Sequence, residues 1–240
     1  MGGQKQGRPI TRRRLERMAS VLARRQPDVA VVLENIHDPH NVSAVLRSCD
    51  ATGVDNIHLI YTHEEEPELS TGVAAGTQRW LNIHRHASVE ECYAQLREAG
   101  LTIYAATIEG ETTDLYELDL TAPCALVYGN ESRGLTSEAV QLADRRMRIP
   151  MMGMAESLNI SVACAVTLFE MLRQRRAAGH YDRAGYPLNR MHETLAGWLE
   201  RDERDPGYAE QASFDPTKFP PVWPRTRPAP PDVEGQGIES

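Results

Sequence analysis

The feature that most constrains this chain is an uninterrupted apolar run, VAVVL, at residues 29–33. A strand that is apolar on both sides must be buried on both, and such strands are typical of parallel sheets covered by helices. Helical patterns alternate with further strand-like segments, so we predict an α/β fold with a mostly parallel sheet flanked by helices over residues 28–176. The other predicted strands are residues 56–60, 101–107, 124–128 and 147–149.

Amphipathic patterns and capping signals predict the helices. Asn41 is placed to cap a helix that runs to Thr52, since asparagine side chains accept hydrogen bonds from the first turn. A capping box, Ser88 followed three residues later by Glu91, opens a helix that Gly100 ends. The remaining helices are predicted at residues 11–26, 136–143, 160–175 and 186–200.

Changes in composition divide the chain into four parts. Residues 1–27 form a basic helical arm, and residues 28–178 form the α/β domain. Residues 179–205 are predicted to be a helical extension. Residues 206–240 hold eight of the fifteen prolines, and because proline breaks helices and central strands, we predict an irregular tail there.

The composition excludes fibrous and wholly disordered proteins, because 41% of the residues are hydrophobic and 25% are charged. No apolar run approaches the roughly 20 residues of a membrane-spanning helix, and no apolar segment of a secretory signal follows the basic N-terminus. The four cysteines lie far apart without a C-x-x-C pair, which is typical of reduced thiols. We therefore predict a cytoplasmic protein with no membrane partner.

Basic side chains are concentrated near the N-terminus, although the net charge of the chain is −8. Residues 5–25 contain eight basic side chains and one acid, Glu16. Such a cluster is typical of a surface that binds nucleic-acid phosphates. A solvated terminal arm would look the same, and charge alone does not decide between the two.

Several common sites are absent from the sequence. No G-x-G-x-x-G follows the first strand, which argues against the usual dinucleotide-binding turn. Gly129 and Gly134 have the spacing of a P-loop, but Leu135 occupies the position of the lysine that contacts phosphates. The eight histidines show no metal-ligand spacing, so we predict no metal site, and the nucleophile elbow G-x-S-x-G is also missing.

Three polar segments that follow predicted strands are candidates for a site. The first, residues 33–47, leads from a strand into a helix at Asn41, where parallel sheets often bind anions. The second, residues 127–134, is bracketed by glycines that allow close backbone approach. The third, residues 149–161, holds three methionines that could line a planar ring and a thioether. Each has a structural alternative, respectively a helix cap, a tight connection and core filling.

Together these segments resemble the three motifs of the SPOUT class of RNA methyltransferases, specifically the TrmH group of tRNA (guanosine-2′-O-)-methyltransferases. The matching stretches are LENIHDPHNVSAVLRSCDATGV, ALVYGNESRGL and RIPMMGMAESLNISVACAVTLFE. The resemblance covers about residues 10–183. It implies a C-terminal deep trefoil knot, S-adenosyl-L-methionine bound in the knotted loops, and a homodimer with composite active sites.

The resemblance also implies roles for individual residues. Arg47 would be the central catalytic residue and Asn41 its polar neighbour, with Glu131 from the second motif and Ser157 and Asn159 from the third. The adenosylmethionine would lie against Thr107, Gly129, Ile149 and Leu158. The RNA backbone would contact the arginines of the basic arm, namely Arg8, Arg12, Arg13, Arg14 and Arg17.

The implied function is adenosylmethionine-dependent 2′-O-methylation of a tRNA ribose, at guanosine 18 of the D-loop. One departure is visible: the pair Ser132-Arg133 differs from the lysine-containing version of some tRNA enzymes. Two alternatives remain at this point. One is 2′-O-methylation of ribosomal RNA, and the other is an RNA-binding protein that keeps the fold without catalysis.

Overall fold

A computed structural model of the chain describes residues 8–67 and 76–216. Within them, seven strands form one sheet in the order β3-β2-β1-β6-β4-β7-β5, and every neighbouring pair is parallel. This confirms the predicted α/β fold with a parallel sheet. The strands are β1 (Val29–Glu34), β2 (Asn56–Ile60), β3 (Asn82–His86), β4 (Thr102–Ala106), β5 (Thr113–Asp114), β6 (Cys124–Tyr128) and β7 (Arg145–Arg148).

Six α-helices connect and flank the strands in the described residues. They are α1 (Arg12–Leu22), α2 (Pro39–Thr52), α3 (Val89–Glu98), α4 (Ser137–Leu142), α5 (Ile160–Ala177) and α6 (Leu188–Arg201). No helix in the part of the chain described here is long and apolar enough to cross a bilayer.

The central strand β1 explains how the two sides of the sheet are covered. Alternate residues of a strand point to opposite faces. Val29, Val31 and Leu33 pack in a core with α2 and α5, while Ala30 and Val32 pack in a second core with α3 and α4. All six residues of β1 are buried, which is the double burial that its apolar run predicts.

Strands β3 and β5 were not predicted, and β7 begins two residues earlier in the chain than predicted. Strand β3 reads NIHRH and is mostly half-buried at the sheet edge, so it lacks the apolar run of a central strand. The two-residue β5 is too short to leave a pattern. Strand β7 covers Arg145–Arg148 rather than residues 147–149, because its arginines point outward and only Met147 is buried.

The predicted cap of α2 is wrong. Asp38 is the N-cap, and its carboxylate accepts a hydrogen bond from the His40 backbone N–H at 2.8 Å. Pro39 takes the first helical position, where its missing N–H costs nothing. Asn41 lies inside the first turn with only 9% of its surface exposed, so its side chain is available for a tertiary contact instead.

The N-terminal helix and the C-terminal helix pack on each other. Leu15, Met18 and Leu22 of α1 share a core with Leu195 and Trp198 of α6. The short 3₁₀ helix Pro206–Gln211 lies in the segment predicted to be irregular. Residues 217–240 of the predicted tail lie outside the described residues, and the four-part division of the chain stays a prediction.

Two fully buried arginines, Arg175 and Arg25, form ion pairs with carboxylates of the sheet domain. Arg175 of α5 donates two hydrogen bonds to the Asp28 carboxylate, at 2.7 and 3.1 Å, and further bonds to the carbonyls of Leu120 and Ala122. Arg25 pairs with Asp50 at 2.7 Å. Arg25 therefore does not belong to the phosphate-binding surface that the basic N-terminal stretch predicts.

Candidate active site

The three polar segments converge through side-chain hydrogen bonds. Asn41 Nδ2 donates to Glu131 Oε1 at 2.8 Å, and Asn159 Nδ2 donates to Asn41 Oδ1 at 3.0 Å. The residues lie 90 and 118 positions apart in the chain. Buried Asn41 is thus the link between the loop after β6 and the start of α5.

Glu131 holds its loop against the beginning of α2. Besides Asn41, its carboxylate accepts two longer hydrogen bonds, both 3.4 Å, from the backbone N–H groups of His37 and Asp38. Partial burial alone would raise the pKa of Glu131, but these hydrogen bonds outweigh it and the pKa lies below its usual range. The carboxylate is therefore ionised at neutral pH, and the positive end of the helix dipole favours it there.

Asn159 has two structural tasks. It is the N-cap of α5, and its Oδ1 accepts hydrogen bonds from the Ser161 backbone N–H at 2.9 Å and hydroxyl at 2.6 Å. Its amide nitrogen reaches Asn41 at the same time. Ser157 lies two residues earlier, is exposed, and takes no part in this network.

Two supporting side chains, Glu34 and Asn130, escaped the sequence analysis. Buried Glu34, at the end of β1, accepts hydrogen bonds from the Thr136 backbone N–H at 2.9 Å and hydroxyl at 2.6 Å. Asn130 Nδ2 donates to the carbonyl of Asn35 at 2.8 Å. These contacts fix both ends of the loop that carries Glu131, and polar residues directly after a buried strand were the signal that could have found them.

Gly129 is required by the backbone rather than by space for a ligand. A Cβ added there would lie 2.2 Å from the backbone nitrogen of Leu135 and 2.3 Å from the carbonyl of Gly134. The loop after β6 therefore folds back onto its own start. Any larger residue at Gly129 would force this loop open.

A cavity of about 640 Å³ lies beside the network. An ion pair joins Arg133 and Glu64 at its rim, so Arg133 compensates the charge of Glu64. Every lining side chain is polar or charged, and both signs of charge are present, which suits a polar ligand such as a nucleotide. The lining residues are His37, Asp38, Asn41, Glu64, Asn130, Glu131, Ser132, Arg133 and Asn159.

Arg47 does not line this cavity. It is exposed on α2, six residues after Asn41, which places the two side chains about 120° apart around the helix. Within the described residues its side chain has no ion pair and no hydrogen-bond partner, in contrast to the paired Arg133. Its guanidinium is thus open to solvent on the side of α2 away from Asn41.

The four residues predicted to hold adenosylmethionine lie at strand ends and in one loop. Thr107, Gly129 and Ile149 directly follow β4, β6 and β7, which are neighbours in the sheet. The Thr107 backbone N–H donates to the Met147 carbonyl at 3.0 Å. Leu158 belongs to a loop with an exposed apolar surface, where Met152 is 94% and Met154 100% exposed.

Comparison with known proteins identifies the family. Residues 28–169 match the model of the SpoU rRNA Methylase family. A tRNA (guanosine(18)-2′-O)-methyltransferase of Thermus thermophilus is 42% identical over 194 residues, covering 81% of this chain and all of that protein. This chain belongs to the SpoU methylase family.

Solved structures of RNA-modifying enzymes share its fold. A TrmH/SpoU tRNA-modifying enzyme of A. aeolicus is similar with a TM-score of 0.74 and 34% identity, over 79% of this chain and 96% of that one. An AdoMet-bound rRNA methyltransferase of Sinorhizobium meliloti has a TM-score of 0.56 and 30% identity, over 65% of this chain and 59% of that one. The resemblance to the TrmH group is confirmed.

The arginines of the N-terminal arm of this SpoU methylase differ in how accessible they are to an RNA phosphate. Arg8 pairs with Glu203 at 3.2 Å, Arg12 with Glu16 at 2.8 Å and Arg14 with Asp202 at 2.7 Å. Arg17 is half-buried, and burial lowers its pKa, opposed by the charge of Asp50. Exposed Arg13 has no ion pair within residues 8–67 and 76–216 and is the member most open to an RNA phosphate.

Proposed function

We propose that this chain transfers a methyl group from S-adenosyl-L-methionine to the 2′-oxygen of guanosine 18 in tRNA, in the cytoplasm. The observation that carries the proposal is the 42% identity to the Thermus tRNA (guanosine(18)-2′-O)-methyltransferase along that protein's whole length. The hydrogen-bonded convergence of Asn41, Glu131 and Asn159 supports it independently, because it assembles the three motifs in one place.

The residues present fit adenosylmethionine. Three neighbouring strand ends offer backbone polar groups at Thr107, Gly129 and Ile149, while the exposed apolar surface around Leu158 offers a wall for an adenine ring. These four residues would hold the cofactor. When bound, its sulfonium supplies an electrophilic methyl group.

Arg47 would compensate the negative charge of the substrate. A guanidinium stays protonated at any physiological pH, so it is a poor general base. It presents two parallel N–H donors, which suit the phosphate next to the target ribose and the charge that develops on the 2′-oxygen. Asn41 and Asn159 would keep α2 and α5 in register so that the ribose approaches in line.

A second copy of the chain would complete the site. Support comes from apolar side chains on α5 that no element among residues 8–67 and 76–216 covers, with Val162 46% and Phe169 52% exposed. Arg47 lies outside the cavity lined by Asn41, as a residue contributed to a partner's site would. We include the trefoil knot in the proposal, supported by the strand order, which places β6 between β1 and β4 and β7 beyond β4.

Mixed dimers test the composite site. We expect Arg47→Ala and Asn41→Ala homodimers to be inactive. A purified mixed dimer regains one intact site if each site takes Arg47 from one chain and Asn41 from the other. If both residues serve the same site from one chain, the mixed dimer stays inactive, and the composite arrangement is refuted.

Methyl transfer to defined RNAs tests the activity. We expect label from adenosylmethionine to enter a tRNA transcript at guanosine 18 and not a matched transcript with 2′-deoxyguanosine at that position, which lacks the attacked oxygen. Preferred labelling of ribosomal RNA would refute the tRNA assignment. Binding of cofactor and tRNA without any transfer would instead make the chain a non-catalytic RNA-binding protein.

A further inference from the structure

A buried cluster of three metal-ligand side chains lies apart from the candidate active site. His58 belongs to β2, His86 ends β3 and Cys92 belongs to α3. Their exposed fractions are 5%, 8% and 0%. None of them lines the cavity beside Asn41, and their separation in sequence explains why no ligand motif was visible.

The distances between the ligand atoms are close to those of a metal site. His58 Nδ1 lies 2.9 Å from His86 Nε2, and the ligand atoms of all three residues lie within 4.8 Å of one another. Tetrahedral zinc with ordinary bond lengths places two nitrogens about 3.3 Å apart and a nitrogen and a sulfur about 3.6 Å apart. Shifts of an ångström or less, within the range of side-chain rotation, would bring the three atoms to these separations.

Glu91 supplies the outer partner that metal-bound histidines usually have. Its Oε1 lies 4.0 Å from His86 Nδ1, and its Oε2 accepts a hydrogen bond of 2.9 Å from the Ala87 backbone N–H. A carboxylate on the Nδ1 side favours a proton on that nitrogen. Nε2 of His86 is then left with its lone pair toward His58 and Cys92.

We propose that His58, His86 and Cys92 bind a Zn²⁺ ion through three protein ligands, with the fourth tetrahedral position left to a ligand from outside the cluster, and that the ion ties the edge strand β3 to β2 and α3. Two neutral imidazoles and one thiolate are ligands that zinc favours. Among the described strands, edge strand β3 pairs only with β2, so a cation bridging it to α3 would attach this strand to a second element.

Cobalt titration of untagged, chelator-treated protein tests the site. Co²⁺ replaces zinc and gives a thiolate-to-cobalt absorption band when a cysteine binds it. We expect one equivalent to bind with this band and to be displaced by Zn²⁺, which also raises the melting temperature. Cys92→Ser should lose the band, whereas Cys124→Ser, a buried cysteine of β6 outside the cluster, should keep it.

Variants of two glutamates of α3 test the proposal if Cys92→Ser does not fold. Glu91→Gln should weaken zinc binding about tenfold, while Glu98→Gln, also exposed on α3, should leave it unchanged. Absence of the thiolate band in the wild-type protein, or equal affinity in both glutamine variants, would overturn the proposal. A plain histidine–histidine hydrogen bond in the core would then account for the cluster.

Discussion

The hydrogen bond between Asn41 and Asn159 can be measured by a double-mutant cycle. Asn41→Ala removes a charge-assisted bond to Glu131 and a neutral bond to Asn159 from a side chain that is 9% exposed. Because Glu131 is exposed, we discount its contribution, and the expected loss is about 2 kcal/mol of unfolding free energy. Asn159→Ala removes the same neutral bond and the cap of α5, about 2 kcal/mol together.

The double variant should lose less than the sum of the two, since both single variants break the same bond. We expect a coupling energy of about 1 kcal/mol from urea unfolding. Ser48→Ala, on the same helix, removes only a local bond to the Ala44 carbonyl and should show no coupling with Asn159→Ala. Strict additivity of Asn41→Ala and Asn159→Ala would refute the role of this bond in joining α2 to α5.

Three further predictions concern single side chains. Arg47→Lys keeps the charge but loses the paired donors, so methyl transfer should fall about 100-fold at unchanged cofactor affinity; near-normal turnover would exclude the paired contact. Arg13→Gln should reduce the slope of log K for tRNA binding against log salt concentration by about one phosphate contact. Arg97→Gln should leave this slope unchanged, because Arg97 is paired with Asp144. Filter binding at several salt concentrations measures both slopes. Burial lowers the pKa of His58 to about 3 in the folded chain. As the pH is lowered below about 6.5, the unfolded chain therefore binds a proton that the folded chain does not, and the free energy of unfolding decreases. In metal-free protein, wild type should lose about 2 kcal/mol more than His58→Gln between pH 7.5 and pH 5 in urea unfolding; equal losses would contradict burial of a neutral ring.

The extent of burial decides which strands could be predicted from sequence. Strand β1 is buried along its whole length, so its sequence is an apolar run that predicts a strand covered on both faces. Strand β3 has one side near solvent and alternates histidine with other residues, a pattern that a loop would also show. The bounds of strand β7 could not be predicted, because Arg145 and Arg148 at its two ends are exposed. Edge strands carry less sequence signal because fewer of their side chains meet the core.

The site was predictable only in part. Local rules indicated that polar residues at Asn41 and Glu131 follow buried strands, but the family resemblance, not spacing, brought them together. The cap assigned to Asn41 was wrong because Asp38-Pro39 is a stronger helix start. Contacts such as Glu34 with Thr136 join residues 102 positions apart, and no local pattern in the sequence encodes a pairing of that range.

The ionised state of Glu131 separates two possible roles for its carboxylate. A general base works best with a pKa near the operating pH, yet hydrogen bonds outweigh the effect of burial and keep the pKa of Glu131 below its usual range. Its Oε1 already accepts a hydrogen bond from Asn41, so we expect Glu131 to act as a scaffold and not as a proton acceptor. Glu131→Gln retains that acceptor oxygen, and we expect a loss of stability of about 1 kcal/mol with the shape of the pH–rate profile unchanged. If the variant instead loses the acidic limb of that profile, Glu131 takes the proton from the ribose and the scaffold role is insufficient.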